Sequence, residues 1–261
     1  MDGRRRLAEH GASRPGGRVR GGHGGADVGK HIGIVAVSPE GSALCYRLVA
    51  RQAARVEDPA RRPLVTLHNL PFSSFVLAYR AGDWERVGTM LTWSAETLAA
   101  AGADFLICPD NIAHHALALA QSATVLPWLN MLELVADAVC DDGRSTVGLV
   151  GTKMIMGSST YQTILGLRGV TLLVPDEDDM DRIDRIIFEE LVEGRVEESS
   201  RLAVLRAFER LADRGCDGVI AASTETPLLV TPEMSPLPMY DPVRLLADRA
   251  IEMALNGEVP A

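Results

Sequence analysis

Two short segments of the 261-residue chain combine acidic, hydroxyl and amide side chains at a spacing that suits proton transfer. The first runs Cys108-Pro109-Asp110-Asn111 and on to His114 and His115; the second runs Ser223-Thr224-Glu225-Thr226. A carboxylate such as Asp110 is a weak base at its ordinary value of about 3.9, and becomes a useful one when burial raises it. A hydroxyl such as Ser223 is no base at neutral pH without a partner, and Glu225 and His114 are both candidates for that partner. Either segment also reads as a helix start, because Asp and Ser are favoured N-caps.

The elements around these segments set where they lie. Short β-branched runs alternate with amphipathic stretches from residue 31 onward. The strands expected are His31–Val37, Pro63–Leu67, Phe105–Cys108, Ala123–Pro127, Thr146–Gly151, Val170–Val174, Gly218–Ala221 and Leu237–Tyr240. Helices are expected over Ser42–Arg55, Asp83–Ala101, Met180–Glu193 and Glu198–Arg214. Such alternation implies an α/β fold with parallel sheets flanked by helices on both faces.

The chain also repeats itself. "HIGIVAV" at 31–37 echoes "TVGLVGT" at 146–152, and "AGADFLICPDN" at 101–111 echoes "RGCDGVIAAST" at 214–224. A third echo pairs Val125-Leu126-Pro127 with Pro236-Leu237-Pro238. Three echoes in one order predict two similar lobes related by a pseudo-twofold axis, one over 31–140 and one over 141–240, with a C-terminal helix over 241–257 packing back on the first. Ligands of parallel α/β sheets bind beyond the carboxyl ends of the strands. The strand ends at 37–42, 109–114, 151–155 and 222–226 therefore frame a site between the lobes, and Asp110 and Ser223 occupy equivalent places in it.

Bulk properties narrow the function classes. Hydrophobic residues make up 47 % and charged residues 23 %, as in an ordinary globular protein. Residues 1–30 hold six arginines and Lys30 against three acids, so they carry +4 and leave −13 on the remainder of a chain whose net charge is −9. An acidic body argues against nucleic acid as the partner. The Gly/Arg-rich first 30 residues read as a disordered extension or as an upstream start-codon artefact. No apolar run reaches the roughly 20 residues of a membrane span and none matches a signal peptide, so the cytoplasm is expected. Cys45, Cys108, Cys140 and Cys216 lack metal spacing and read as reduced thiols. The acidic run 176–181 lacks the Gly and Glu spacing of a calcium loop, and reads as a turn and helix start; no metal is expected there.

The motifs resemble the aspartate/glutamate racemase family. "CPDNIAHH" is similar to the family's "CNTAH" segment, "AASTETPLL" to "GCTEIPLL", and "SPEGSALCYR" to the opening "MGPEAT…YYR". The resemblance spans about residues 31–257. It implies a two-lobed, dimeric enzyme that uses neither metal nor pyridoxal phosphate and acts on a small-molecule carboxylate. In the family two cysteines flank the substrate Cα, one removing a proton and the other returning one on the opposite face. The matching positions here hold Asp110 and Ser223, so both thiols are absent.

The resemblance implies binding roles for Asn111 and Thr224, each beside a catalytic position, and for Thr152, Tyr161, Glu225 and His114. It matches Arg47 to a clamp for a distal carboxylate, although a solvated helix arginine is the other reading. Departures include Ile112, Ile155 and Leu246 at polar family positions, and Gln162-Thr163-Ile164-Leu165 where a lysine usually follows the tyrosine. These changes make the pocket less polar and favour a less charged acid over a dicarboxylic amino acid. Asp110 and Ser223 suit one-sided proton chemistry, namely epimerisation, isomerisation, decarboxylation or elimination, better than a symmetric thiol pair. The alternative is a catalytically inactive binding or regulatory protein that keeps the fold.

Overall fold

The computed structural model describes residues 29–260. The expected extension at 1–30 lies almost wholly outside the described residues. In chain order the elements are β1 (Ile32–Ala36), α1 (Pro39–Ala53), β2 (Val65–Asn69), α2 (Phe72–Ala81), α3 (Trp84–Ala100), β3 (Phe105–Ile107), α4 (Leu117–Ala123), β4 (Trp128–Leu129) and α5 (Met131–Asp141). They continue with β5 (Thr146–Gly151), α6 (Lys153–Met156), α7 (Ser159–Leu167), β6 (Thr171–Leu173), α8 (Glu177–Glu189), α9 (Glu198–Asp213), β7 (Gly218–Ala222), α10 (Thr226–Leu229), β8 (Met239–Tyr240) and α11 (Pro242–Asn256).

The strands form two parallel four-stranded sheets, ordered β2-β1-β3-β4 and β6-β5-β7-β8. The two orders are the same once the second set is renumbered, as the sequence echoes imply. The echoes are also matched in backbone detail. Gly102 and Gly215 both turn the chain at φ +92°, a conformation that glycine adopts without a Cβ clash. Two residues later, Asp104 accepts the His31 N–H and Asp217 accepts the Ser145 and Thr146 N–H groups, fixing the starts of β1 and β5. The Pro127 and Pro238 carbonyls accept from Leu106 and Val219 in the same way.

β1 and β7 are buried throughout because helices cover both faces of each sheet. In the first sheet, α2, α3 and α4 cover one face through Phe75, Leu91, Leu98 and Ala120. The other face packs on α1 and α11 through Cys45, Val49, Val243, Leu246 and Ala250. α11 thus lies on the first lobe although it follows the second in sequence. α5 crosses the same division. It precedes the boundary at 140–141, yet Leu132, Val135, Ala136 and Val139 pack into the core of the second sheet beside Leu149 and Tyr161.

One expected strand is displaced. Residue 123 ends α4, and the strand expected over 123–127 forms instead at Trp128–Leu129, in register with Leu106 and Ile107. Thr124 stops the helix, its hydroxyl donating to the Ala120 carbonyl and accepting from the Trp128 indole. Val125 then stands 93 % exposed, so its apolar character marks no core position.

The lobes approach closely where α1 begins. Ser38 caps this helix by accepting the Gly41 N–H, and Pro39 fills the first helical position, where a missing N–H costs nothing. A Cβ on Gly41 would lie 2.2 Å from Thr224 Oγ1 and 2.6 Å from Thr224 Cβ, across the division between lobes. Gly41→Ala is therefore expected to destabilise the protein by about 1–3 kcal/mol, the usual cost of overpacking. A urea unfolding midpoint unchanged from wild type would contradict that contact.

Candidate functional site

The four expected strand ends converge on one small space between the lobes. Ser38 follows β1, Asp110 follows β3, Thr152 follows β5 and Glu225 follows β7, and all four line the same cavity. Its free volume is about 30 Å³, close to the share of one water molecule in the liquid. Apolar walls come from Phe72, Ile112, Ile187, Phe188 and Val192. A larger groove of about 590 Å³ adjoins it, with Tyr79, Ile112 and Phe188 common to both, and Arg80, Lys153 and Arg185 along its rim.

Asp110 is buried at the turn into Ala113–Ala116, and its Oδ1 accepts the Ala113 N–H at 2.7 Å and the Tyr79 hydroxyl at 3.3 Å. The helix-start and acid/base readings therefore coexist in one side chain. Burial, reinforced by the nearby Glu225 carboxylate, pushes the Asp110 carboxyl up to about 7, against the opposing hydrogen bonds from Ala113, Tyr79 and Ile112. Burial and the Asp110 charge hold the Tyr79 phenol well above its ordinary range, so it remains a donor.

Glu225 is buried on the opposite side. Ser38 donates to its Oε1, while Ser223 and Thr224 each donate to its Oε2 at 2.9 Å. Of the two candidate partners for Ser223, Glu225 is the one in contact. His114 is committed elsewhere. Its Nδ1 donates to the Asp110 carbonyl at 2.7 Å, and its Nε2 accepts the Met131 N–H at 3.1 Å, an arrangement that requires the neutral ring. Burial lowers its value to about 4, consistent with that tautomer. His114 thus ties the Asp110 loop to the start of α5.

Asn111 is buried, and its Oδ1 accepts the Tyr161 hydroxyl at 2.7 Å across the lobes. Its Nδ2 has no partner among the described residues, which leaves a buried donor free for an anion. Thr152 caps α6 by accepting the Ile155 N–H and keeps its hydroxyl proton for another acceptor. Thr224 is held beside Gly41 and Glu225. Arg47 is not brought to this cluster. Cys45, Val49 and Ala53 set the buried stripe of α1, and Arg47, two residues past Cys45, points to solvent.

Neither of the cysteines nearest to Asp110 and Ser223 in sequence is activated. Cys108 is buried two residues before Asp110, and burial followed by the Asp110 charge raises its thiol well above the ordinary range. Burial also raises Cys216, which lies ahead of β7. The acidic run forms the start of α8, with Asp176 capping Asp179, and its carboxylates pair with Lys153 and Arg210. Sequence reasoning missed Ser38 and Tyr79 as members of the site. Ser38 carried a signal, as the hydroxyl residue before Pro39-Glu40 at a helix start. Tyr79 carried none, since it is 31 residues from Asp110 and meets it only through the packing of α2.

A family model described as Asp/Glu/Hydantoin racemase matches residues 34–250. Among solved structures, the chain is similar to a provisionally assigned Asp/Glu racemase from Yersinia pestis, with 28 % identity, TM-score 0.77, and coverage of 87 % of this chain and 99 % of that one. It is likewise similar to an aspartate racemase homologue from Pyrococcus horikoshii OT3, with 25 % identity, TM-score 0.74, and coverage of 86 % and 99 %. A glutamate racemase from Francisella tularensis, solved with D-glutamate, shares the fold at 14 % identity and TM-score 0.65, covering 90 % and 84 %.

The raised Asp110 value carries a stability consequence. The folded state binds this proton more tightly than the unfolded chain, so its contribution is complete below about pH 4 and is lost as pH rises through about 7. Asp110→Asn removes that loss. The variant is expected to gain on wild type between pH 5 and pH 8, with an upper limit on the order of 4 kcal/mol for the full titration. Urea unfolding at the two pH values measures the difference; a gap that shrinks at pH 8 contradicts the assignment.

Proposed function

Since the chain belongs to the Asp/Glu/hydantoin racemase family, we propose that it is an enzyme of cofactor-independent proton transfer at the carbon next to a carboxylate of a small amino or related acid. Asp110 acts as acid/base and Ser223 hydrogen-bonds the ligand. The observation that carries this reading is the buried Asp110 carboxyl on the cavity wall, with a value of about 7, where a group serves as donor or acceptor at neutral pH. The unpartnered Asn111 Nδ2 and the hydroxyl of Thr152 supply donors for the substrate carboxylate.

Phe72, Ile112, Ile187, Phe188 and Val192 support an acid with an apolar side group. They offer no charged partner to a second carboxylate, and Arg47 is exposed on α1. The buried high-value thiols at Cys108 and Cys216 support a reaction without cysteine. Racemisation and epimerisation fit this arrangement, and so does decarboxylation with protonation on one face. The small closed space suits each of them by excluding water from a carbanion.

The proposal is tested by solvent deuterium exchange at Cα, followed by NMR across both enantiomers of aspartate, leucine, phenylalanine and lactate. Exchange is expected for the apolar acids in preference to aspartate. Asp110→Asn should lower it at least about 100-fold, in the range of general acid–base contributions, while Ser223→Ala leaves it within about 10-fold. The reverse pattern sinks the assignment of roles. Saturable binding of these acids without exchange would instead identify a binding protein on the racemase fold.

A further inference from the structure

We infer that Glu225 is the second acid/base group of the site, facing Asp110 across the cavity, so that a carboxylate pair rather than Asp110 alone handles the proton. The inference rests on the proton-transfer reading above and deepens it. Position 223 is where the lobe repeat and the family motif both direct attention, yet the Ser223 hydroxyl points at Glu225 Oε2 and makes a local bond within its own turn. The cavity wall is formed by Asp110 from the first lobe and Glu225 from the second. The two groups thus approach a bound Cα from opposite lobes, as a two-sided reaction requires.

The two carboxyl groups are held differently. The Ser38, Ser223 and Thr224 hydroxyls converge on Glu225 as donors and fix its orientation. Asp110 Oδ1 receives the Ala113 N–H and the Tyr79 phenol, the Ile112 N–H adds a weaker contribution, and burial outweighs them to favour the neutral form. Glu225 across the cavity raises the Asp110 carboxyl further, because a like charge nearby disfavours ionisation. Tyr79 from α2 and Cys108, the residue after β3, also face Asp110, both protonated by burial, and His114 contacts its carbonyl as a neutral ring. Glu225 is the carboxyl group that lines the cavity with Asp110.

The step closes without a co-reactant. The Glu225 carboxylate takes the α-proton, breaking C–H and forming O–H, and the electron pair spreads into the substrate carboxylate. Asp110 then delivers its own proton to the opposite face, breaking O–H and forming C–H. Glu225 is left protonated and Asp110 ionised, which is the state needed for the reverse direction. Ser223 and Thr224 are positioning residues that orient Glu225.

Two measurements test the pairing. The first follows the Asp110 carboxyl by infrared titration of the full chain labelled with 13C-aspartate, identified by its loss in Asp110→Asn. Glu225→Gln should shift that titration below about 7, Ser223→Ala should leave it near 7, and Glu225→Asp, which keeps the charge, should leave it near 7 as well. The second uses the acids that exchange in wild type. Glu225→Gln and Glu225→Asp should each lower interconversion of enantiomers by about 100-fold or more, while exchange without inversion persists for the enantiomer whose proton faces Asp110. An Asp110 titration unmoved in Glu225→Gln overturns the coupling of the two carboxyl groups, whether or not any acid turns over. Inversion within a few-fold of wild type in both Glu225 variants overturns this role alone, provided that Asp110→Asn still abolishes exchange. Absence of exchange in wild type for every acid overturns the proton-transfer reading itself.

Discussion

The hydroxyl of Ser38 ties the two lobes at their closest approach. It accepts the Gly41 N–H at the start of α1 and donates to Glu225 beyond β7. A hydroxyl can do both because it carries a donor and two acceptor lone pairs. The bond answers a specific cost: a carboxylate withdrawn from water is tolerated only where donors replace its hydration. Ser38 supplies one such donor from the opposite lobe, and Ser223 and Thr224 supply the others from the same turn. Gly41 permits the approach, since any side chain there would strike Thr224. The helix start, the interlobe contact and the orientation of Glu225 are consequences of one arrangement.

The same enclosure shapes the chemistry. The free space between the strand ends is about that of one water molecule, and half of its wall is apolar. In that setting a carboxyl remains neutral at a pH where an exposed one would be fully ionised, which turns an ordinary aspartate into a proton donor or acceptor near neutrality. A thiol in equally dry surroundings moves further from reactivity, as Cys108 shows. Asp110 thus has proton chemistry within reach of neutral pH that the Cys108 thiol lacks. Two buried tyrosines, one from each lobe, hold the Asp110 loop. Tyr79 donates to Asp110, and Tyr161 donates to Asn111, so each of the two adjacent site residues is oriented by a buried phenol.

Much of this frame was legible in the sequence. The repeat of Gly102-Ala103-Asp104 and Gly215-Cys216-Asp217 reflects a shared need: a left-handed turn, then an acid that caps the next strand. That requirement is local, so the residues carry it in order. The ends of the strands were readable for the same reason, and they placed Asp110, Thr152 and Glu225 near one another. The strand expected at 123–127 shows the limit of local reading. Val125 and Leu126 look like strand residues, but the ladder with β3 sets the register, and it begins at Trp128.

The sequence by itself determined the α/β class and the doubled lobe, because each is written in periodicity and spacing. Only the tertiary structure decided which groups meet. It turned Ser223 onto Glu225, engaged both His114 nitrogens with backbone, left Arg47 in solvent and brought Tyr79 to Asp110. It also decided that α5 serves the second core and α11 the first. These outcomes depend on helix phase and on packing between segments far apart in the chain. Desolvation of Asp110 likewise arises from atoms of both lobes, and no stretch of sequence contains it.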